Sequence, residues 1–543
     1  MTIASVEGEE FTAEVVARIQ KEEVRELIRL LSRELDKRHH LVSAKGIRQL
    51  EKQRLSSYLF QHILFQRYLY NSLDEVERAG LHEEVGTILE SLYGEQAEEI
   101  AVQLARHFLE AGIVPKAIDY LHKAGNKAVR LSAGEEAISH YKKALERVQA
   151  LPETPQRDQL ELALQLALAV PLMSTKGFGS PELGRAVVRA RALCDRAGDM
   201  QQRFFALFQL VNYYGTTGQY RTALGFAEQM SQIWEQSKDP VLQACSYYAQ
   251  TWPLLNMGEL TQTVEYGRRM MDVYDQGQHG FLAYLVGYDV GVFNRGFASW
   301  AQWILGYPDQ AIRQLHEAEN IARKLGHQHS LAFILLLACE LNWFLGNTPQ
   351  INKDTEEIVP FCEKNGFIYI GAHGYFYRGE RAVLEGKVKD GLAQMRQSLA
   401  IMEATGTTTC FSRLRARMAD ACRKAGAVED GLAAVDWAFE AVRKYDERYV
   451  EAEIYRLKGE LLRMRGAPEA DVEACFKQAI EIARRRLAKS WELRATMSLS
   501  RLWQSQGKNA EAKKALEEVY SWFTEGFTTP DLIEAKTLLE GLS

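Results

Sequence analysis

A chain of 543 residues is too long for one compact core, so it must divide into several domains or a repeat array. Hydrophobic residues make up 46% and charged residues 25%, as in an ordinary folded chain, and a formal charge of −6 gives no global reason to bind nucleic acid or an anionic membrane. Seven scattered cysteines with no CxxC pair exclude a disulfide framework and read as reduced thiols of a cytoplasmic protein.

In chain order, Met1–Phe11 carries Glu7, Glu9 and Glu10 and no basic residue, which is not a signal-peptide pattern. Thr12–Gln20 and Glu22–Asp36 read as helices, His39–Val42 and Ser56–Phe60 as short extended pieces, and Gln61–Leu73 as a further helix. Helices followed by a small hairpin suggest a winged-helix unit over residues 1–75. Within it, Lys45, Arg48, Lys52 and Arg54 are enough for a few phosphate contacts. Glu22, Glu23, Glu26, Glu34 and Asp36 stand nearby in sequence and favour a solvated helix face, so nucleic acid is not an expected partner.

Residues 76–175 read as irregular helix pairs, with the small-large-small spacings Ala117, Leu121, Ala124 and Ala137, Tyr141, Ala144. KGFGSPELG (176–184) reads as a turn, Pro181 opening the next helix. Beyond it a period appears. Glycines end helical segments at 218, 258, 306, 346, 386, 426, 466 and 507, with spacings of 40, 48, 40, 40, 40, 40 and 41. Glycine tolerates the left-handed conformation that ends a helix. Seven residues before each glycine stand Val211, Thr251, Ser299, Cys339, Gly379, Ala419, Gly459 and Ser500, small enough for two helices to cross closely. Ala223, Ala311 and Ala512 follow the glycine by five residues, where the second helix packs back. The longest apolar run, Leu331–Cys339, ends at Glu340 after nine residues, far short of a membrane span.

These features resemble the tetratricopeptide repeat, with a longer period than usual. The expected fold is therefore all-α: a superhelical solenoid of about ten helix pairs over residues 76–543, with the regular repeats from 176. In such arrays the first helix of each pair lines the concave face. Six residues before the turn glycines stand Asn212, Trp252, Trp300, Glu340, Glu380, Asp420, Glu460 and Arg501. Trp303, Trp343, Arg423 and Arg463 follow three residues later in their repeats. This predicts a groove that runs from an aromatic section (Trp252, Trp300, Trp303, Trp343) to a ladder of carboxylates and guanidinium groups. Such a groove suits a basic, partly apolar protein or peptide. The alternative is a self-neutralised network, with Glu380 on Arg423 and Asp420 on Arg463. The run Arg484–Arg486 complements the dipole at the end of its helix.

More specific strings are GFASWAQWILGYPDQAI (296–312), AEIYRLKGELL (452–462), ACFKQAIEIARRR (474–486), AKSWELRATMSLSRLWQSQGK (488–508) and WFTEGFTTPDLIEAKTLL (522–539). With ASVEGEEFTAEVVAR (4–18) and RLSSYLFQHILFQRYLYNSL (54–73), they resemble the winged-helix and repeat half of bacterial STAND-type signalling ATPases. The resemblance implies a sensor array that restrains an ATPase, and it gives His62 the place of a nucleotide-sensing histidine. No GxxxxGK[ST] loop occurs: Val388 follows Gly386-Lys387, and Asn509 follows Gly507-Lys508. ATP hydrolysis is therefore not carried over, and a truncated gene product or one half of a split system is expected, with a separate ATPase or cyclase chain as partner. His39, His40, His107, His122 and His140 have no metal-ligand spacing, and no nucleophile motif appears. Neither metal, cofactor nor catalysis is expected. Two other readings are a winged-helix regulator on DNA with the repeats as effector sensor, and an enzyme subunit of undetected activity.

Overall fold

The computed structural model describes residues 1–50 and 53–542; Lys52, one of the four cations considered for nucleic acid, lies outside them. The chain forms two compact units, Met1–Leu164 and Gln165–Ser543.

In the first unit a short helix, Thr2–Glu7, leads into strand β1, Glu10–Thr12, and helices Ala13–Gln20 and Val24–Leu30. The second of these runs straight into a wider π-type segment, Leu31–Arg38. Strands β2, Val42–Gln49, and β3, Arg54–Phe60, form the expected hairpin, and β1 adds to the far side of β3, giving the antiparallel order β1-β3-β2. The first strand starts at Val42, where the extended piece His39–Val42 was expected to end, and runs on to Gln49; β1 had no pattern at all, because three residues cannot display an alternation. Phe11, Val16, Leu27, Leu31, Val42, Tyr58 and Phe60 close one apolar core beneath the sheet. Helices Glu75–Tyr93, Ala101–Glu110, Val114–Arg130 and Gly134–Gln149 follow, burying Ala117, Leu121, Ala124, Ala137, Tyr141 and Ala144.

The second unit is a tetratricopeptide-type solenoid of antiparallel helix pairs. Its inner helices are Met200–Thr216, Pro240–Asn256, Val290–Leu305, Gln328–Phe344, Ile368–Leu384, Phe411–Lys424, Glu451–Arg465 and Lys489–Ser505. Each turns back near its glycine, and all eight glycines have left-handed φ between 69° and 100°. The spacing of 48 is an insertion: short helices Gln276–His279 and Leu282–Val286 lie between Val273 and Val290. The small residues at the crossings are fully packed. A methyl group on Gly459 would sit 2.5 Å from the Phe476 ring, and one on Gly379 would meet the Gly391 carbonyl at 2.8 Å.

Candidate functional site

The inner helices face one another across a filled interior, and a single register rule organises it. The residue six positions before one turn glycine meets the residue nine positions before the next. Trp300 Nε1 donates to the Leu337 carbonyl at 3.1 Å, the Tyr377 hydroxyl donates to Glu340, Arg417 Nε donates to Glu380 at 2.7 Å, and Ser498 Oγ donates to Glu460 at 2.7 Å. Neighbouring inner helices are thus staggered by three residues, roughly 4.5 Å along the axis. The alternative pairing Glu380–Arg423 and Asp420–Arg463 had the wrong stagger. Asp420 instead holds Arg423 and Lys424 of its own helix, each at 2.9 Å, and Arg463 holds Glu460 at 3.1 Å. Burial raises the Asp420 carboxyl, but Lys424, Arg423 and Arg456 outweigh it and hold it far below the usual carboxylate range.

At the centre, Glu340 is completely buried and bridges two arginines, touching Arg413 and lying 3.2 Å from Arg417. Arg417 is also 2.6 Å from Glu380, and its guanidinium lies 4.4 Å from the Tyr377 ring centre. Arg413 stands 4.9 Å over Trp300. Burying four charges is tolerable here because each carboxylate has a cation and each guanidinium an aromatic face.

The expected aromatic groove is therefore an aromatic interior. Trp300, Trp303 and Trp343 are buried, and Trp252 is half-buried, 4.5 Å from Phe297. Trp303 stacks on Phe344 at 5.0 Å and meets Trp491 edge-on at 4.7 Å. Glu340, Glu380, Asp420 and Glu460 are buried, Arg423 is half-buried and Arg463 is exposed. These residues do come together, but most of them are buried against one another among the described residues.

A cavity of about 40 Å³ lies among Trp252, Tyr288, Phe297, Trp300, His373 and Arg413, several times the ~10–15 Å³ that one water needs. Tyr288 arrives from the insertion and donates to Asn212 Oδ1 at 2.6 Å. The segment around Gly177–Ser180, expected to be a plain turn, supplies Phe178 to the lining and packs on the loop after Ala404. A methyl group on Gly406 would lie 2.0 Å from the Gly179 carbonyl, so both positions require glycine for the two backbones to touch.

The second unit also closes on itself along a seam. Carbonyls in the last turns of the inner helices have no partner within their own helix. Here donors about one superhelical turn further along the chain take them: Thr408 and Thr409 N–H bond Thr216 O at 3.0 and 3.2 Å, and Arg448 N–H bonds Asn256 O at 2.7 Å. Ser490 bonds Trp303 O, and Arg494 bonds Phe344 O. Ion pairs flank them, with Arg486 2.7 Å from Glu259 and Arg221 3.3 Å from Asp446. Arg486 thus has a long-range partner beyond the helix-dipole role read from its run.

In the first unit His62 is exposed, and its carbonyl, not its ring, opens helix Ile63–Asn71. Lys45 pairs with Glu10, Arg48 donates to the Tyr93 hydroxyl at 2.7 Å, and Arg54 donates to Gln49. His107 lies 2.9 Å from His82, both ring Nδ1 atoms facing. Burial lowers both pKa values, that of His82 to about 4, so the pair is neutral near pH 7.

No protein-family model matches the sequence. An uncharacterized protein of Rhizobium meliloti (strain 1021) is 22% identical over 454 residues, covering 82% of this chain and 43% of its own length. The chain thus spans less than half of that relative. Similar solved structures include a Rap protein complexed with competence and sporulation factor (TM-score 0.43, 12% identity, 73% of this chain and 99% of that one). Others are the APC/C hetero-tetramer Cut9–Hcn1 (0.46, 11%, 88% and 92%) and a STAND protein with a tetratricopeptide repeat sensor from Pyrococcus horikoshii (0.34, 11%, 100% and 64%).

The seam, the Gly177–Ser180 segment and Tyr288 escaped sequence reasoning. The insertion could have been found, since the spacing of 48 marks it. The seam could not, because nothing in a local period states how many repeats complete one superhelical turn.

Proposed function

We propose that this chain is a regulatory scaffold, the sensor part of a bacterial STAND-type signalling ATPase system, and performs no catalysis itself. The seam is the observation that carries the reading. Each repeat touches its neighbours, so small rotations accumulate along the array. From Thr216 to Asn256 the bonds between turns are polar, and these, unlike the Trp303–Trp491 and Tyr307–Trp522 ring contacts further along, can part without exposing much apolar surface. A change at the interior then alters the winding, and the winding is what a partner protein reads. The partner engages outer faces of the solenoid, because the expected inner groove is occupied by its own side chains. In this reading residues 1–75 are a winged-helix module, and the protein acts in the cytoplasm.

The test uses a phosphate-loop ATPase or cyclase encoded beside this chain or fused to it in relatives. Its ATP turnover is measured with the intact chain and with the seam variant Glu259→Arg. The expected result is that the intact chain represses turnover and the variant represses it less. Equal turnover with both, or ATP hydrolysis by this chain alone, overturns the reading. The DNA-binding alternative is checked by gel shift at low salt, where no retention is expected because Lys45, Arg48 and Arg54 already have partners within the fold.

A further inference from the structure

Beside the seam the two superhelical turns leave a cleft of about 380 Å³, within the range of about 300–1,000 Å³ usual for small-molecule sites. Arg221 and Glu259 line it from one turn, and Asp446, Arg448, Glu451, Arg485 and Arg486 from the next. Most of these side chains are half-buried, so the space is walled and is not a flat surface. Met257 and Ile482 are its only apolar side chains among the described residues, and no aromatic ring lines it. The charges on the walls are not spent evenly. Arg448 holds Asp446 at 2.7 Å and Glu451 at 3.3 Å, Arg221 shares Asp446 at 3.3 Å, and Arg486 holds Glu259 at 2.7 Å. Arg485 is left over. Its carboxylate partner, Glu481 on the same helix, stands 3.9 Å away, too far for a hydrogen bond, and both side chains are exposed.

Four guanidinium groups against three carboxylates leave one net positive charge on the walls. The forked N–H groups of arginine match the oxygens of a phosphate, and Arg485 and Arg221 are the two least engaged. The carboxylates do not repel every ligand, because each offers about four lone-pair sites and the arginines use only some of them. Glu259 accepts from Arg486 through Oε1, and its Oε2 takes no bond from the described residues. A hydroxyl can donate to such an oxygen without adding charge. Without an aromatic wall the cleft has no stacking platform for a nucleobase.

We infer that the cleft binds a small phosphorylated polyol, such as a sugar phosphate, with its phosphate on Arg485 and Arg221 and its hydroxyls on the carboxylates, Glu259 first. Arg221 and Glu259 belong to one turn and Arg485 to the next, so the ligand bridges the seam. It fastens the two turns beside the bond from Arg448 N–H to Asn256 O. This deepens the regulatory reading by naming what closes the seam, but binding is measured on this chain alone, so the two can fail separately.

The experiment titrates the full chain by calorimetry with glucose 6-phosphate, ribose 5-phosphate and glycerol phosphate, and with glucose and inorganic phosphate as the separate halves. At least one of the three phosphorylated polyols is expected to bind about tenfold or more tightly than either half, because a charge-assisted phosphate contact adds to the hydroxyl contacts. Arg485→Gln and Arg221→Gln change exposed side chains and spare the fold, and each is expected to weaken that ligand severalfold. The control Arg396→Met, at an exposed pair far along the chain, is expected to leave it unchanged. With the ligand saturating, the Arg448 N–H is expected to exchange severalfold more slowly. No binding by any of the three overturns the proposal, and so does binding of glucose or inorganic phosphate as tight as theirs. Affinity undiminished in both cleft variants, affinity lost equally in Arg396→Met, or exchange at Arg448 that ignores the ligand places the binding elsewhere and overturns it as well.

Discussion

The Glu380 carboxylate accepts the Nε–H of Arg417 at 2.7 Å, and the two residues stand 37 positions apart on neighbouring inner helices. Arg417 also holds Glu340 at 3.2 Å, so one guanidinium serves two carboxylates in a space closed to water. Burial opposes its charge, and Glu380 outweighs that and keeps Arg417 firmly protonated. Arg417→Met leaves Glu380 without its cation and Glu340 with Arg413 alone. It is expected to cost about 3–5 kcal/mol, the usual penalty for an uncompensated buried charge. The exposed pair Arg396–Asp430, at 3.1 Å, is the control: Arg396→Met is expected to cost about 0–1 kcal/mol. Urea unfolding followed by tryptophan fluorescence compares the two, and similar midpoints would show that the interior network is not structural.

Glycine plays two roles in the repeats, and one substitution separates them. Gly386 sits at φ 87° with open space around its Cα, whereas Gly459 is helical and faces the Phe476 ring. Asparagine tolerates the left-handed region better than other side chains. Gly386→Asn is therefore expected to cost well under about 1 kcal/mol. Gly459→Asn forces a side chain into a packed crossing and is expected to cost about 1–3 kcal/mol or more. Thermal midpoints by circular dichroism, read against the parent chain, distinguish the two.

How much of this was legible follows from what a period can encode. The turn glycines and the small crossing residues stood in the sequence because each acts within its own helix pair, a few residues away. The carboxylates at one repeat position were equally visible. Their partners were not, since the stagger between neighbouring inner helices depends on how steeply the solenoid winds. A shift from nine to three residues before the glycine exchanges Arg417 for Arg423. The same limitation explains the groove. Trp300, Trp303 and Trp343 mark an inward face, but only the tightness of the winding decides whether that face is open or meets Trp491 and Arg413.

Glu7 gives the first unit a pH dependence of unusual sign. Burial raises its pKa from 4.5 to about 7, against the opposing hydrogen bonds from Thr12 N–H at 2.9 Å and Thr12 Oγ1 at 2.7 Å. Between pH 4.5 and 7 the folded chain keeps a proton that the unfolded chain has released. Stability is therefore fully present below the unfolded value and falls as pH rises through the folded one. The shift corresponds to about 3 kcal/mol at most. Glu7→Gln is expected to flatten this part of the profile. Unfolding of the first unit, followed by hydrogen exchange at the Phe11 and Thr12 amides across that range, checks it, and a slope unchanged in the variant would assign it to another group.

The seam lends itself to a charge-swap experiment because its flanking cleft is nearly balanced. Arg221, Arg448, Arg485 and Arg486 meet Glu259, Asp446 and Glu451 around a space of about 380 Å³. Glu259→Arg leaves five cations against two carboxylates and removes the 2.7 Å contact with Arg486. The two side chains are 28% and 42% exposed, so solvent screens the pair and the penalty is expected to be about 1 kcal/mol or less. Such a penalty is invisible in global unfolding but readable locally. The Arg448 N–H, which bonds Asn256 O at 2.7 Å across the seam, is expected to exchange severalfold faster in Glu259→Arg. Adding Arg486→Glu restores four cations against three carboxylates and an opposite-charge pair, so protection at Arg448 is expected to return. High salt should shrink the difference between parent and variant, since screening shortens the reach of exposed charges to a few ångströms. Exchange at Arg448 that ignores both substitutions would place the strength of the seam in its backbone bonds, and a regulatory opening would then have to begin at Thr216 and Asn256 instead of at the charges.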